Sequence, residues 1–303
     1  MRTAQKPNFF IIGAPKCGTS SLINTLRWHP KIYVPLAFEP QYFCTDFPSI
    51  ANYTPESYLR LFDAVTDEHK AVGEKSVIYL YSEVAVDNIL KFDPNARFIV
   101  MLRNPIDLVY SWHSQLYYTF MEQIEDFKTA WYLQESRQKG EGIVPRCKVP
   151  FALQYREIGA LGKYLQKLYT KVPREQVKII FMEDLHADAD KVYKETLKFL
   201  GVPYMPRRDA RSLNTNKRHR FRWLGANLAH DSTSRVSRAF NKFEKLPVIQ
   251  KTNLRYWLHE WNKIEYKREP LSSELRQMLT EEFRDDINNL AKLTDRDLAH
   301  WLP

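Results

Sequence analysis

The segment that most constrains the fold is FFIIGAPKCGTSSLINTL, residues 9–26. Its first four residues are uninterrupted Phe and Ile, which is typical of a buried strand in a parallel sheet. A turn with two glycines follows, and from Thr19 the apolar residues recur at helical spacing. A strand, a Gly-containing turn and a helix start direct backbone N–H groups and the positive end of the helix dipole at an anion. The sequence therefore predicts a phosphate-binding loop, whose candidate contacts are Lys16, Cys17, Gly18, Thr19, Ser20 and Ser21.

The lysine of this loop is not where a nucleotide triphosphatase would have it. That motif reads G-x-x-x-x-G-K-[ST], with Lys directly after the second Gly. Here Thr19 occupies that position and Lys16 lies inside the loop. A P-loop kinase or nucleotidase is thus an alternative that the loop itself counts against, and a different phosphate ligand is expected.

Apolar runs alternate with helical patterns along the first two thirds of the chain. This alternation predicts an α/β fold: a central parallel sheet with helices on both faces and a helical C-terminal third. We predict one domain over residues 1–303, with a core at 8–205, a basic loop at 207–222 and C-terminal helices at 223–303. A mobile loop is expected at 135–150. Strands are expected at 9–13, 96–103 and 176–185, with a turn and a short strand at 29–34 and a strand that ends in 71–76. The main helices are 19–28, 57–62, 105–127, 154–170, 188–201 and 272–293.

Charged residues follow several of these strands. Gly13, Glu74, Arg103 and Glu183 stand at or near predicted strand ends. Ligands of parallel sheets bind beyond the carboxyl ends of the strands. We therefore expect the phosphate-binding loop, the Glu74-Lys75 pair and Arg103 to meet at one edge of the sheet.

A second segment, RNPIDLVYS at 103–111, repeats the pattern of a buried strand followed by a helix. Its Arg103 can bind a phosphate through two parallel hydrogen bonds. Ser111 lies two helical turns further on, and Pro105 suits the first turn of a helix. Taken alone, Arg103 could equally cap a helix or pair with a carboxylate.

Charge and cysteine content narrow the class of protein. The formal net charge of +9 favours an anionic partner, and a non-enzymatic polyanion-binding protein is a second alternative. Cys17, Cys44 and Cys147 are too few and too widely spaced for a disulfide framework or a zinc site. With no apparent signal peptide or membrane span, we expect a cytoplasmic protein without a bound metal.

The two motifs together resemble the sulfotransferase family that uses 3′-phosphoadenosine-5′-phosphosulfate (PAPS). In that family a PKxGT(S/T) loop holds the 5′-phosphosulfate. A strand ending in RNP, with Ser eight residues after the Arg, holds the 3′-phosphate. PKCGTSS and RNPIDLVYS match both in order, and the resemblance extends to TDRDLAHWL at 294–302. It implies that Lys16 to Ser21, Arg103 and Ser111 bind PAPS, and that adenosine 3′,5′-bisphosphate (PAP) is a product.

Within the family, the chain is similar to the carbohydrate branch rather than the phenol and steroid branch. The carbohydrate branch has a Glu followed by an aromatic pair and later an EK(S/T) segment, which match FEPQYF (38–43) and EKS (74–76). No KTHLP-like stretch with a catalytic His is present. The resemblance implies that Glu39 is the general base and that Lys75 supports it. The acceptor would be a hydroxyl or amine of a carbohydrate or small metabolite, with no nucleic acid partner.

Three positions depart from the pattern of this branch, and the first is Phe38, which stands where many relatives have Lys just before the base. Cys44 stands where many relatives have Asp, and the nearest Asp is Asp46. Gln115 stands where some have His, and His113 is two residues after Ser111.

The basic segment 207–222 resembles the family's late loop over the 3′-phosphate. Lys217 and Arg218 are its best candidates, followed by Arg220 and Arg222. Glu183 and Asp184 are interpreted as structural.

Overall fold

The computed structural model describes residues 6–37, 39–207, 216–228, 236–238 and 254–302. Phe38 and half of the predicted basic loop, residues 208–215 of 207–222, lie outside this part. The chain forms two compact units. The first comprises Met1–Trp112, Gln154–Asn214 and Ser272–Pro303, and the second comprises His113–Leu153 and Thr215–Leu271. The single domain expected over 1–303 stays a prediction.

A five-stranded parallel sheet forms the centre of the first unit, in the order β2-β3-β1-β4-β5. Strand β1 is central and all five of its residues are buried, which explains its lack of polar alternation. With helices around the sheet, the predicted α/β class is confirmed. The strands are β1 (Phe9–Gly13), β2 (Ile32–Tyr33), β3 (Ala71–Lys75), β4 (Arg97–Leu102) and β5 (Val177–Phe181).

The helices of this unit bury apolar faces, as Leu22, Ile23 and Leu26 do in α1. The C-terminal helix α13 supplies a cap as well, because the Asp286 carboxylate accepts hydrogen bonds of 2.8 Å from the amides of Gly162 and Lys163 in the first turn of α8. The helices are α1 (Thr19–Arg27), α2 (Pro55–Arg60), α3 (Ala85–Phe92), α4 (Pro105–Tyr118, which continues into the second unit), α7 (Tyr155–Gly159), α8 (Leu161–Tyr169), α9 (Met182–Ala187), α10 (Ala189–Leu200) and α13 (Ser273–Thr294), with 3₁₀ turns at Val77–Leu80, Arg174–Gln176 and Ala299–Trp301.

Several expected elements differ in extent: β2 covers only Ile32–Tyr33, α2 is Pro55–Arg60, and three further differences have a cause in the backbone. Helix α4 ends at Tyr118 and not near 127, because Phe120 adopts a left-handed φ of 63° that a helix does not continue through. The expected helix 154–170 is interrupted at Ala160, whose ψ of 61° is not helical. The expected strand 176–185 stops at Phe181, and its last residues form the start of α9.

In its described residues, the second unit is mainly helical and has one antiparallel pair of short strands. Part of the expected loop 135–150 is helical, and Lys217 and Arg218, expected in a loop, lie on strand β6. Glu122 and Arg137 form a buried ion pair of 2.7 Å in this unit. Its elements are α5 (Phe127–Tyr132), α6 (Gln134–Gln138), β6 (Lys217–His219), α11 (Arg222–Leu228), α12 (Leu254–Asn262) and β7 (Lys263–Glu265), with a 3₁₀ turn at Pro150–Leu153. Among the helices of the described ranges, none has the length and apolar character needed to cross a bilayer.

Candidate active site

The phosphate-binding loop connects β1 to α1. Gly18 is the N-cap of α1 and adopts a left-handed φ of 86°, a conformation that Gly adopts without a Cβ penalty. A Cβ here would also lie 3.1 Å from the Leu185 side chain. The first turn, Thr19-Ser20-Ser21, carries no acidic residue. Its amides and its hydroxyls thus suit an anion at the helix N-terminus, as the sequence predicts.

Arg103 follows β4 and lies beside this loop. Its Nη1 donates a long hydrogen bond of 3.4 Å to the Lys16 carbonyl oxygen. The structure therefore brings these two predicted cations to the same edge of the sheet. Ser111 is buried on α4, two turns after the start of that helix. Its predicted role toward a 3′-phosphate stays a prediction.

Lys75, the last residue of β3, connects the phosphate-binding loop to the predicted base. Its Nζ donates to Ser20 Oγ at 3.2 Å and to Glu39 Oε1 at 2.9 Å. The side chains of Lys75 and Glu39 are only 6% and 12% exposed. One partly desolvated ammonium therefore fixes the distance between a loop hydroxyl and a carboxylate that are 19 residues apart in sequence.

Glu39 lies in an irregular segment, the Glu39 loop (residues 39–44). Both Glu39 and Gln41 adopt left-handed φ values, 52° and 56°, which are uncommon for residues other than Gly. Backbone amides of the loop donate to side-chain hydroxyls that follow β3: Gln41 N to Ser76 Oγ at 3.0 Å, and Phe43 N to the Tyr79 hydroxyl at 3.2 Å. The loop is thus held from the side of β3.

Glu74 lies beneath this loop and is 1% exposed. Its Oε1 accepts from the Tyr58 and Tyr79 hydroxyls at 3.0 and 2.9 Å, and its Oε2 accepts from Ser76 Oγ at 2.8 Å. Burial raises the pKa of Glu74 to about 7, although the three hydroxyl donors act in the opposite direction. The sequence placed Glu74 at a strand end but did not predict these hydroxyls. The available signal was a carboxylate within the buried segment AVGEKS.

Cys17 is inside the loop but differs from its neighbours. The thiol is fully buried and donates to the Pro15 carbonyl oxygen at 3.4 Å. Burial raises its pKa to about 12, in spite of the nearby Arg103 and Lys16. At neutral pH the side chain is therefore a small neutral group that packs under the loop, and any PAPS contact of Cys17 would be made by its backbone.

The remaining candidates have partners within the second unit. Arg218 forms an ion pair of 2.7 Å with Glu125, and Arg222 donates to the Tyr117 and Glu122 carbonyl oxygens at 2.7 and 3.0 Å. His113 is buried, and its Nε2 is 2.9 Å from the Ile124 carbonyl oxygen. Burial lowers the pKa of His113. A role of Lys217 and Arg218 toward the 3′-phosphate stays a prediction.

Two acidic segments have structural partners. Asp184 accepts two hydrogen bonds from Arg296, and Glu183 accepts one of 2.6 Å from the Trp301 indole N–H. These contacts agree with the interpretation of Glu183 and Asp184 as structural residues. Asp46 accepts from Ser82 Oγ and from the Glu83 amide, so it orders the segment before α3.

The family model described as a sulfotransferase domain matches residues 6–242. The chain belongs to the sulfotransferase family. Among solved structures, a sulfotransferase from Alicyclobacillus acidocaldarius is similar over 99% of this chain and 100% of that one, with a TM-score of 0.70 and 26% identity. This similarity agrees with the α/β fold of the chain.

Two curated human sulfotransferases show which branch of the family the chain matches. Carbohydrate sulfotransferase 15 from Homo sapiens is 25% identical in an alignment of 252 residues, with coverage of 65% of this chain and 44% of that protein. Bifunctional heparan sulfate N-deacetylase/N-sulfotransferase 3 from Homo sapiens is 28% identical in an alignment of 229 residues, with coverage of 70% of this chain and 24% of that protein. The predicted similarity to the carbohydrate branch is confirmed. The match spans less than half the length of either relative.

The alternative of a P-loop kinase gains no support from these similarities. Across the described ranges, no group of three or more His, Cys, Asp or Glu side chains is arranged as a metal site. The prediction that PAPS binds without a metal remains to be tested in solution.

Proposed function

We propose that this sulfotransferase transfers a sulfuryl group from PAPS to a hydroxyl or amine of a carbohydrate or small-metabolite acceptor. The observation that carries the proposal is the Lys75 ammonium, which hydrogen bonds to both Ser20 and Glu39. It links a hydroxyl at a helix N-terminus, where a phosphate can bind, to a carboxylate that can accept a proton. One side chain, that of Lys75, therefore contacts both the candidate donor site at Ser20 and the candidate base Glu39.

The residues around the loop fit a phosphosulfate. Lys16 and Arg103 supply two positive charges, and α1 has no carboxylate in its first turn that would repel an anion. Gly18 has no side chain to obstruct a close approach to the backbone amides. Bound PAPS would supply the sulfuryl group and a phosphate leaving group.

Each residue then has a defined task in the transfer. Glu39 accepts the proton of the acceptor hydroxyl while that oxygen forms a bond to sulfur and the bond from sulfur to the 5′-phosphate oxygen breaks. Negative charge develops on the departing phosphate, and Lys16 and the α1 amides stabilise it. As in phosphoryl transfer, most of the catalysis comes from positioning and charge stabilisation. Lys75 keeps Glu39 and Ser20 in register.

The Glu39→Gln variant tests this assignment. We expect turnover to fall at least about 100-fold, because a positioned general base contributes that much, while affinity for PAP stays within about twofold. Radiolabelled PAPS would be supplied with desulfated heparin, chondroitin and a panel of monosaccharides, with p-nitrophenol as the phenol-type comparison. Glu56→Gln, which changes an exposed carboxylate of α2, is the matched control.

Binding measurements separate the proposal from its alternatives. Calorimetry should show that PAP binds in EDTA and more tightly than ATP with magnesium. Tighter binding of magnesium ATP would contradict the proposal and favour a kinase. Transfer that proceeds equally well in Glu39→Gln would refute the role of Glu39, and an absence of transfer to every acceptor would favour a polyanion-binding protein.

A further inference from the structure

We propose that Glu74 is a positioning residue that holds the Glu39 loop in its reactive conformation through the hydroxyls of Ser76 and Tyr79. The inference rests on the proposed function only in taking Glu39 as the base. The contacts that carry it form two short chains of hydrogen bonds. Each runs from a loop amide to a hydroxyl and from that hydroxyl to the Glu74 carboxylate.

The loop needs such a restraint because of its backbone. Glu39 and Gln41 both have left-handed φ values, 52° and 56°, and such conformations persist only where surrounding contacts impose them. The Lys75 ion pair holds the Glu39 side chain but not the backbone that follows it. Hydrogen bonds from the Gln41 and Phe43 amides do fix this backbone, at 3.0 and 3.2 Å.

Glu74 determines how the two hydroxyls are oriented. A hydroxyl has one hydrogen and two lone pairs, so a hydroxyl that donates to a carboxylate presents its lone pairs to other donors. Ser76 Oγ lies 2.8 Å from Glu74 Oε2, and the Tyr79 hydroxyl lies 2.9 Å from Oε1. With their hydrogens directed at Glu74, both oxygens accept from the loop amides. The carboxylate thus acts on the loop without touching it.

The third hydroxyl that donates to Glu74, that of Tyr58, provides an internal comparison. Tyr58 donates to the same oxygen, Oε1, at 3.0 Å, and both Tyr58 and Tyr79 are fully buried. Only the Tyr79 hydroxyl also accepts from an amide of the Glu39 loop. Removing either hydroxyl costs Glu74 one hydrogen bond, but only removal of the Tyr79 hydroxyl releases the loop.

The experiment compares Glu74→Gln, Tyr79→Phe and Tyr58→Phe in the full chain at pH 8, above the Glu74 pKa of about 7, so that the wild-type carboxylate carries no hydrogen of its own. Hydrogen exchange of the Gln41 and Phe43 amides is the first measurement, and it needs no acceptor. We expect exchange at least about tenfold faster in Glu74→Gln and Tyr79→Phe, because the loop opens more often, and within about twofold of wild type in Tyr58→Phe. A buried carboxamide presents N–H groups where a hydroxyl hydrogen should point, which removes the orientation.

Kinetics provide the second measurement, with PAPS and whichever acceptor is turned over by the wild type. We expect kcat to fall about tenfold in Glu74→Gln and somewhat less in Tyr79→Phe. The KM for PAPS and the affinity for PAP should change by less than about twofold, because the phosphate-binding loop is not involved. The loss of kcat in a double variant that combines Glu74→Gln with Tyr79→Phe should be smaller than the two single losses added as free energies, because both changes break the same chain of hydrogen bonds.

Several outcomes would overturn the inference. Unchanged exchange at Gln41 and Phe43 in both Glu74→Gln and Tyr79→Phe would do so, as would equal effects of Tyr58→Phe and Tyr79→Phe. Should Glu74→Gln fail to fold by circular dichroism, the two Tyr→Phe variants decide the question by themselves. Absence of any transfer by the wild type would count against the proposed function, whereas the exchange comparison would still test the loop.

Discussion

The phosphate-binding loop and the Glu39 loop meet at Lys75 but are built in different ways. The first is specified by adjacent residues: a buried strand, Gly18 at the N-cap, and hydroxyl residues in the first helical turn. The second is held by hydroxyls that lie 35 and 36 residues further along the chain. A contiguous motif can thus identify where an anion binds, whereas the position of the base depends on tertiary contacts.

Changes to the two loops should therefore have separable effects. Substitutions around β3 should alter the Glu39 loop and leave PAP binding intact. Substitutions at the β1–α1 turn or at Arg103 should weaken PAP binding first.

The largest expected effect concerns Glu74 and pH. Burial raises its pKa in the folded protein to about 7 from the ordinary 4.5, so the folded state binds this proton more tightly than the unfolded state. The stabilising contribution is complete below pH 4.5 and is lost as pH rises through about 7. The rise of the Glu74 pKa from 4.5 to about 7 corresponds to about 3 kcal/mol in the free energy of unfolding, because one pKa unit is worth about 1.4 kcal/mol.

Urea denaturation of wild type and Glu74→Gln between pH 4.5 and 8 measures this contribution, since other titrating groups cancel in the difference. The stability of the wild type relative to the variant should fall as pH rises. Parallel pH profiles would show that Glu74 does not titrate as its burial implies. Because the pKa of the exposed Glu56 lies below its ordinary value of 4.5, Glu56→Gln should give profiles parallel to those of the wild type between about pH 6 and 8.

The next effect concerns Arg103 and the phosphate-binding loop. Arg103→Ala removes a guanidinium that can form charge-assisted hydrogen bonds, each worth about 2 kcal/mol, and it also removes the contact with the Lys16 carbonyl oxygen. Affinity for PAP should fall about 30-fold in a calorimetric titration. Arg276→Ala is the control, because Arg276 pairs with Asp107 on α4 at 3.0 Å. Equal losses in both variants would indicate a general effect of charge.

The smallest effect concerns Gly18. Gly18→Ala places a Cβ at a φ of 86° and 3.1 Å from the Leu185 side chain, so we expect a loss of about 1–2 kcal/mol in thermal or urea unfolding. PAP affinity should fall as well. Gly140 has a similar φ of 89° with no atom within 4 Å of its Cβ position. Gly140→Ala should show a comparable backbone cost and unchanged PAP affinity; weaker PAP binding in Gly140→Ala would contradict a local effect at Gly18.

The sequence predicted those features that are encoded locally. The apolar run of β1, the spacing within PKCGTSS and the strand before RNP led to the α/β class and to the edge where Lys16 and Arg103 meet. Lys75 was placed beside Glu39 only through the resemblance to a family, since no local pattern joins residues 36 apart. The shared contact with Ser20 is a further result of folding.

Other features could not be predicted for physical reasons. Helix α4 ends at Tyr118 because of the left-handed residue Phe120, and nothing in its side chain indicates this conformation. Cys17 lies in the middle of the binding motif, yet its side chain is fully buried and burial raises the pKa of the thiol to about 12. The hydroxyl network of Glu74 requires residues from α2, β3 and the turn after β3 to converge, which periodicity does not reveal.

The cap that α13 places on α8 has a consequence for synthesis of the protein. The Gly162 amide donates to the carboxylate of Asp286, which lies 124 residues later in the chain. At translation rates of about 5–20 residues per second, about 6–25 seconds separate the synthesis of Gly162 from that of Asp286, and the first turn of α8 lacks its cap during that time. Strand β5 is synthesised within that time and completes the five strands of the sheet, but the nascent chain still lacks the helix that packs on α8. We expect the ribosome-bound chain to be protease-sensitive and to be held by chaperones until α13 has emerged.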